Sequence, residues 1–179
     1  MKIFFCVLIT IISMASQAEP IFDKEEVDYI PRKGENQQPQ KLNIDGMPEY
    51  PDDKDLRQLN IRDSRSIFYV DISSITSSIK DNIPRIVIVA VSPYGARTVT
   101  YEGFDCGYRR YKAYGYASME GPIRPFGEQE WKPIIDEDSG RYRRTLVESY
   151  LCGPFAYAAS REKILDRMKS LKPYVKSTR

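Results

Sequence analysis

The sequence predicts an α+β fold, an antiparallel β-meander of about four to five strands packed against one or two C-terminal helices and closed by one disulfide. Three observations support this prediction. Runs of β-branched and aromatic residues follow one another between residues 66 and 134. Segments with a helical spacing of apolar residues come after them, from residue 141 onward. Two cysteines, Cys106 and Cys152, remain once an N-terminal export signal is removed. Strands followed by helices are typical of an α+β domain.

The first eighteen residues have the features of a secretory signal peptide. Lys2 supplies a positive charge, residues 3–12 are apolar, and small side chains lead up to Ala18. The apolar stretch is too short to span a bilayer comfortably, so we expect cleavage after Ala18 rather than an uncleaved anchor. We therefore predict export to the periplasm, with no membrane span left in the mature chain.

Residues 19–46 are polar and interrupted by proline. Burial of their few apolar side chains hardly offsets the entropy lost on ordering, so we expect an extended or disordered segment. Residues 47–179 are predicted to form a single α+β domain. Charge is uneven, because residues 19–60 carry 11 acidic and 6 basic side chains, whereas residues 157–179 carry 7 basic and 2 acidic ones. The two ends could attract each other, serve separate partners or simply stay solvated.

The strands begin with SIFYVDI, residues 66–72, which is rich in β-branched and aromatic residues. RIVIVAV, residues 85–91, is apolar on both alternating faces and therefore belongs in the middle of a sheet. The proline and glycine of residues 92–96 predict a tight reversal into RTVTYEGF, residues 97–104. These segments predict a β-hairpin at the centre of the meander.

The next strand is RRYKAYGYAS, residues 109–118, which we expect to pair antiparallel with its predecessor. Simple alternation places Tyr111, Ala113, Gly115 and Ala117 on one face and Lys112, Tyr114 and Tyr116 on the other. EWKPI, residues 130–134, is either a short edge strand or a packed loop, because Pro133 excludes a central position.

Two helices are predicted after the strands. In residues 141–152 the apolar stripe contains Leu146, Val147, Tyr150 and Leu151. In residues 158–173 it contains Ile164, Leu165, Met168 and Leu171, and Pro173 ends the helix.

Cys106 and Cys152 are predicted to form a structural disulfide. An isolated pair of cysteines in an oxidising compartment is usually joined, and closing this loop stabilises the fold by about 4 kcal/mol in the chain-entropy model. A structural zinc site needs four nitrogen or sulfur ligands, and the chain has no histidine. A redox dithiol would have the CxxC spacing, which is absent. We therefore expect neither a metal nor a cofactor.

Composition also limits catalysis. Ser-His-Asp and Cys-His mechanisms need an imidazole, and no glycine motif for phosphate binding is present. We therefore predict that the protein is not an enzyme. A hydrolase that uses the carboxylate pair Asp71 and Glu102, on neighbouring predicted strands, stays open as the alternative. Carboxylates at such positions are more often turn formers or ion-pair partners of arginine.

A binding role has more support, because the chain has thirteen tyrosines and some of them are interleaved with arginine, in CGYRRYKAYGY and RYRR. The candidate binding face consists of Arg109, Arg110, Tyr111, Lys112, Tyr114 and Tyr116. Such a surface suits an envelope protein, a peptide or a glycan. The alternative is that the tyrosines rim the sheet, with buried rings and solvated hydroxyls. Nucleic acid is not expected as a partner of an exported protein with little net charge. The predicted function is non-catalytic binding or an accessory role in the cell envelope.

Several short stretches occur in a recognisable order: MPEYPDDKDLRQLNI, FYVDISSI, VTYEGFDC, KAYGYA, WKPI and YLC. In order and spacing they resemble the CNP1-like family of small exported bacterial proteins over residues 47–171. The resemblance implies a periplasmic or envelope protein of unassigned activity, and a paired-cysteine pattern that Cys106 and Cys152 match. It implies no catalytic residue. The loop SMEGPIRPFGEQEW departs from the family pattern, and the strand and cysteine pattern is also similar, in topology alone, to surface-adhesin E proteins.

Overall fold

The structure is a computed structural model that describes residues 46–78, 80–118, 121–135 and 140–175. The predicted signal peptide, residues 1–18, lies outside the described residues, and so does the predicted polar segment 19–46 except for Gly46. The architecture is α+β, as predicted, with one antiparallel sheet, two C-terminal helices and a disulfide between Cys106 and Cys152.

Within the described residues, seven strands form one antiparallel sheet. They are β1 (Leu56–Gln58), β2 (Ile67–Thr76), β3 (Arg85–Val91), β4 (Arg97–Asp105), β5 (Arg110–Ala117), β6 (Arg124–Pro125) and β7 (Lys132–Pro133). Each strand from β1 to β5 pairs with the next one along the chain, and β7 pairs with the beginning of β5. The sheet is therefore a meander with β3 and β4 at its centre, as the apolar character of β3 predicts.

The expectation of four to five strands missed two short ones. β1 has three residues and β6 has two, which is too short to show alternation. The four long strands lie where the sequence predicts them. The segment around Trp131 contributes β7, an edge strand in which Pro133 does not interrupt the central ladder.

One face of the sheet, here called the helix face, carries the larger core. Its fully buried side chains include Val70, Ile75, Ile86, Ile88, Phe104, Leu146, Leu151, Ile164 and Met168. Burying an apolar side chain of this size contributes about 1.5–3 kcal/mol, so this layer is the main hydrophobic source of stability.

The opposite face, here called the second face, is covered by irregular segments. Met47, Tyr50 and Tyr174 pack from outside the sheet onto its buried residues, which include Leu56, Val87, Val89, Val99, Tyr101 and Ile123. Both faces of the central strands are therefore buried.

The first predicted helix forms in two parts. α1 (Arg141–Thr145) continues into a π-helical segment, Leu146–Leu151, which ends at Cys152. The Cys152 N–H accordingly donates to the carbonyl of Val147, five residues back. A π turn accommodates an additional residue, and such turns occur frequently at functional sites.

The second helix is shorter than the predicted residues 158–173. α2 (Arg161–Met168) begins after Ser160, whose hydroxyl accepts a hydrogen bond from the Lys163 N–H. This is N-cap chemistry, and it places the start of the helix after the alanine pair that the prediction included.

The C-terminal tail, residues 172–175, leaves α2 and runs beside β1. Arg57 opposes Pro173 in an antiparallel bridge. The Gln58 N–H donates to the Lys172 carbonyl at 2.7 Å, and the Tyr174 N–H donates to the Leu56 carbonyl at 3.1 Å. The tail therefore covers the outer edge of β1.

Candidate binding site

The disulfide joins the end of a central strand to the end of the π-helical segment. Cys106 follows β4, Cys152 follows Leu151, and their Cα atoms lie 5.7 Å apart. Cys106 is buried and Cys152 is half-buried. The predicted disulfide is confirmed, and it fixes the residue from which the next loop starts.

The chain leaves Cys152 in a short loop, residues 153–157, here called the aromatic loop. The Gly153 N–H donates to the Tyr157 carbonyl at 2.7 Å, and Cys152 opposes Ala158 in an antiparallel bridge. The two ends of the aromatic loop are thus held together, so that it forms one compact turn.

Two consecutive residues of the aromatic loop have a left-handed backbone. Phe155 has φ 60° and Ala156 has φ 59°. This conformation is uncommon for such residues and costs on the order of 1 kcal/mol or more at each. The side chain of Asn82 donates to the Ala156 carbonyl at 3.1 Å and accepts from the Ala158 N–H at 2.6 Å. These bonds offset the strain and hold the loop in its shape.

Phe155 and Tyr157 project into solvent. Their exposed fractions are 90% and 65%. Burial of a side chain such as Phe contributes about 1.5–3 kcal/mol, which the isolated chain forgoes at this position. Exposed apolar groups on a loop with a fixed backbone are typical of contact sites.

A shallow depression of about 360 Å³ lies beside the aromatic loop. It is lined by Cys106, Gly107, Arg109, Val147, Glu148, Cys152, Gly153 and Ala156. Arg109 Nη2 donates to Glu148 Oε1 at 2.8 Å. The hydrogen bonds from Arg109 and Arg144 hold the pKa of Glu148 below its ordinary value. The depression therefore combines apolar walls next to the disulfide with an ion pair between Arg109 and Glu148.

The side chains of the predicted binding face on β5 are divided between the two faces of the sheet, because a β-bulge interrupts the alternation. The register shifts between Tyr101 and Glu102, which makes Tyr114 an additional residue in β5. Side chains beyond a bulge change faces. Lys112 and Tyr114 lie on the second face, whereas Tyr116 turns to the helix face. The expectation that these three side chains share one face is wrong.

Tyr114 is packed inside the molecule. Its ring covers Gly103, where an added Cβ would approach Tyr114 Cε2 to 2.6 Å. The ring centroid lies 5.7 Å from that of Tyr101 and 5.6 Å from the guanidinium of Arg85. Burial raises the pKa of Tyr114. Any side chain at Gly103 would displace this ring.

Two further residues of the candidate face also contact groups within the protein. The guanidinium of Arg143 lies 3.7 Å from the ring centroid of Tyr111. Arg110 lies 4.5 Å from the ring of Tyr108 and 5.6 Å from that of Trp131. These distances are typical of cation–π contacts, so tyrosine and arginine interleaved in the sequence are here partners in packing.

The other three residues of the candidate face are separated from one another. Arg109 lines the depression beside the disulfide. Lys112 is half-buried on the second face. Tyr116 is 40% exposed and stacks on Phe126 with a centroid distance of 4.7 Å. Arg109 is thus the one predicted residue that the structure brings to the aromatic loop.

The two carboxylates of the hydrolase alternative lie on opposite faces of the sheet. Asp71 opposes Val87, which opposes Tyr101, so this row of side chains lies on the second face. Glu102 is the next residue in β4 and points to the helix face. The structure therefore does not bring Asp71 and Glu102 to one cleft, as a catalytic carboxylate pair requires.

Glu102 is fully buried in a network of hydrogen bonds. It accepts from the Tyr142 hydroxyl at 2.8 Å and from Arg143 Nε and Nη2 at 2.8 and 2.7 Å. Burial raises the pKa of Tyr142 well above its ordinary value. Burial alone would lower the pKa of Arg143, but the hydrogen bonds and charge of Glu102 outweigh it and raise that pKa. The bidentate pair attaches α1 to the sheet.

Asp71 is buried at an irregularity in β2. Its Oδ1 accepts from the Ser73 N–H at 2.8 Å and from the Ser73 hydroxyl at 2.6 Å. Burial raises the pKa of Asp71, and the bonds from Ser73 offset part of this effect. Asp71 therefore organises the local backbone.

Sequence reasoning did not single out the aromatic loop. Gly153 and Pro154 directly after Cys152 indicate a turn, and Phe155 and Tyr157 follow without any apolar periodicity. That combination predicts aromatic side chains on a loop. Their exposure depends on the left-handed backbone, which neither Phe nor Ala indicates.

In the part of the chain that the structure describes, no group of three His, Cys, Asp or Glu side chains could hold a metal ion. Among the same residues, no helix has the length and apolar character needed to cross a membrane.

The model of the CNP1-like family matches residues 35–169, which is most of the chain. The chain therefore belongs to the CNP1-like family. No curated protein and no solved structure matches it.

Proposed function

We propose that this member of the CNP1-like family is an exported, non-catalytic binding protein of the cell envelope, which contacts its partner through the aromatic loop. One observation carries the proposal. Phe155 and Tyr157 are 90% and 65% exposed on a loop whose backbone is held by a disulfide and by Asn82. Exposed apolar groups of this kind mark sites of interaction with proteins or membranes.

Export is supported by the N-terminal sequence and by the disulfide. Lys2, the apolar residues 3–12 and Ala18 match the parts of a signal peptide. Disulfides form and persist in oxidising compartments such as the periplasm, and they are rare in the cytosol.

A non-catalytic role is supported by the state of the acidic side chains. Asp71 and Glu102 are the buried carboxylates among the described residues, and both are engaged in hydrogen bonds within the protein. They lie on opposite faces of the sheet, and the chain has no histidine that could serve as a base.

The contact surface can be tested by photo-cross-linking in intact producing cells. A photoreactive residue replaces Phe155 in one variant and Tyr94 in a control, because Tyr94 is 97% exposed at the distant β3–β4 turn. We expect a discrete adduct, to protein or to lipid, from position 155 and none from position 94. Equal adducts from both positions, or none from position 155, would contradict the proposal.

Export can be tested by mass spectrometry of the protein that the producing cells accumulate. We expect a mature N-terminus at Glu19, because small side chains lead up to Ala18. Intact Met1 in the extracytoplasmic fraction would argue against cleavage of the segment.

A further inference from the structure

We propose that the partner of the aromatic loop is an anionic lipid surface. Phe155 and Tyr157 would enter the interfacial layer, and neighbouring basic side chains would contact the headgroups. This inference rests on the proposed function, since it names the partner of the same loop.

The exposed aromatic patch formed by Phe155 and Tyr157 has a small area. A stable interface between two proteins buries about 800 Å² on each partner. Two aromatic side chains supply about 300–500 Å² even when they are completely covered. A lipid layer sets no such threshold, because each apolar group that enters it gains its transfer free energy separately. Tyr157 also has the apolar ring and polar hydroxyl that suit a membrane interface.

Basic side chains lie on the segments next to the aromatic loop. Arg161 and Lys163 lie in the first turn of α2, shortly after Tyr157, and both are exposed. Lys80 is exposed on the β2–β3 loop, which Asn82 ties to the aromatic loop. Basic side chains next to inserted apolar groups are complementary to anionic headgroups.

The acidic side chains in the same region are fewer. Glu162 is exposed between Arg161 and Lys163. Asp81 is engaged with Arg85 at 2.7 Å, and Glu148, in the depression beside the loop, is paired with Arg109 at 2.8 Å. On these two segments the exposed positive charge is therefore larger than the exposed negative charge. The positive charges belong to Lys80, Arg161 and Lys163, and the negative charge belongs to Glu162.

The backbone of the aromatic loop is held in place at several points. The disulfide fixes Cys152, and Asn82 binds the backbone of Ala156 and Ala158. Side chains carried by a backbone that is already ordered lose less conformational entropy on binding. Phe155 is therefore held outward before any partner is present.

The test is vesicle flotation with protein in the form that the producing cells accumulate. The vesicles are equimolar phosphatidylglycerol and phosphatidylcholine, with phosphatidylcholine alone as the neutral comparison. We expect the protein to float with the anionic vesicles, and added salt to weaken this binding because it screens the charges. The double variant Phe155→Ser, Tyr157→Ser should lower the partition coefficient about tenfold or more.

Two further variants separate the aromatic and the electrostatic parts. Tyr94→Ser removes an equally exposed aromatic ring far from the loop and should leave flotation unchanged. The double variant Lys80→Glu, Lys163→Glu should weaken binding to anionic vesicles and leave the weak binding to neutral vesicles unaltered. Equal losses from Tyr94→Ser and from the loop variant would overturn the inference.

Tryptophan fluorescence can test directly whether position 155 enters the lipid. The chain has a single tryptophan, Trp131, so Phe155→Trp in a Trp131→Phe background reports on position 155 alone. We expect its emission to shift to the blue when anionic vesicles are added, and an unchanged spectrum would overturn the inference. Absence of flotation together with a protein adduct at position 155 would overturn the lipid partner and leave the proposed function standing. Absence of flotation and of any adduct would overturn both.

Discussion

Strand β5 and the aromatic loop both carry aromatic side chains, but they use them in opposite ways. In β5, the rings of Tyr111 and Tyr114 lie against the guanidinium groups of Arg143 and Arg85. In the aromatic loop, the ring of Phe155 is 90% exposed. Neighbouring segments cover Tyr111 on one face of the strand and Tyr114 on the other, whereas the loop leaves the body of the protein at the disulfide. An abundance of tyrosine and arginine in a sequence therefore indicates internal packing as readily as a binding surface. A binding surface is distinguished by aromatic side chains that are exposed on a fixed backbone.

The largest expected effect comes from the ion pair next to β5. Arg143→Met leaves the Glu102 carboxylate buried without its cation, which should lower the free energy of unfolding by about 3–5 kcal/mol. Arg109→Met is the matched control, since Arg109 and Glu148 form an exposed ion pair worth less than about 1 kcal/mol. Urea denaturation of both variants measures the difference. Equal losses of unfolding free energy in the two variants would show that the buried ion pair stabilises the protein no more than the exposed one.

The disulfide is the next test, because it joins the end of β4, the strand that pairs with β5, to the start of the aromatic loop. Replacing Cys106 and Cys152 by serine together should lower the free energy of unfolding by about 4 kcal/mol in the chain-entropy model. Under native conditions, chymotrypsin should also cleave at Phe155 and Tyr157 much faster, because Cys152 no longer fixes the start of the loop. Cleavage elsewhere in the folded domain serves as the control. An unchanged cleavage rate at Phe155 would show that Asn82 alone holds the loop.

A smaller effect is expected within β5 itself. Tyr114→Ala removes a packed ring and should cost about 2–3 kcal/mol, somewhat less than for a fully buried aromatic residue. Tyr116→Ala removes a ring that is 40% exposed and should cost less than about 1 kcal/mol. Thermal unfolding compares the two. A larger loss for Tyr116→Ala would contradict the assignment of faces on either side of the bulge.

The smallest expected effect concerns Asp71 and depends on pH. Because burial raises its pKa, the folded protein binds a proton at Asp71 more tightly than the unfolded chain does. The ionised carboxylate therefore costs stability at neutral pH, and this cost disappears as the pH falls through the raised pKa. Asp71→Asn keeps an oxygen that can accept from Ser73, so it should melt at a slightly higher temperature than the wild type at pH 7.

The pH profile of melting temperatures checks this prediction. The advantage of Asp71→Asn should shrink in acid, as the wild-type carboxyl becomes protonated. Asp52→Asn is the control, because Asp52 is exposed and its hydrogen bonds with Lys54 lower its pKa. An advantage of Asp71→Asn that persists in acid would point to a cause other than ionisation.

The long strands and the disulfide could be predicted because their signals are local or countable. β3 is apolar on both faces, and two isolated cysteines outside a predicted signal peptide are expected to pair. The bulge at Tyr114 could not be predicted in the same way, since KAYGYA alternates without a break and Gly115 is the one hint of irregularity. The predicted binding face depended on that alternation.

The aromatic loop could not be located from the sequence for a related reason. Its left-handed residues, Phe155 and Ala156, have no intrinsic preference for that conformation. They adopt it because Asn82, 74 positions earlier than Ala156, bonds to the carbonyl of that residue. A conformation imposed by a distant side chain leaves no local pattern to read.

The tail beside β1 has a consequence for aggregation. An outer strand with unpaired N–H and C=O groups is a template for strands of other chains. Here the groups of β1 that face outward are bonded to Lys172 and Tyr174, and Pro173 between them presents no N–H to the next molecule. Because the tail is synthesised after the whole sheet, this edge stays open until the last part of the domain has docked. A chain that lacks residues 172–175 would therefore keep most of its core and lose its protection against association with its own copies.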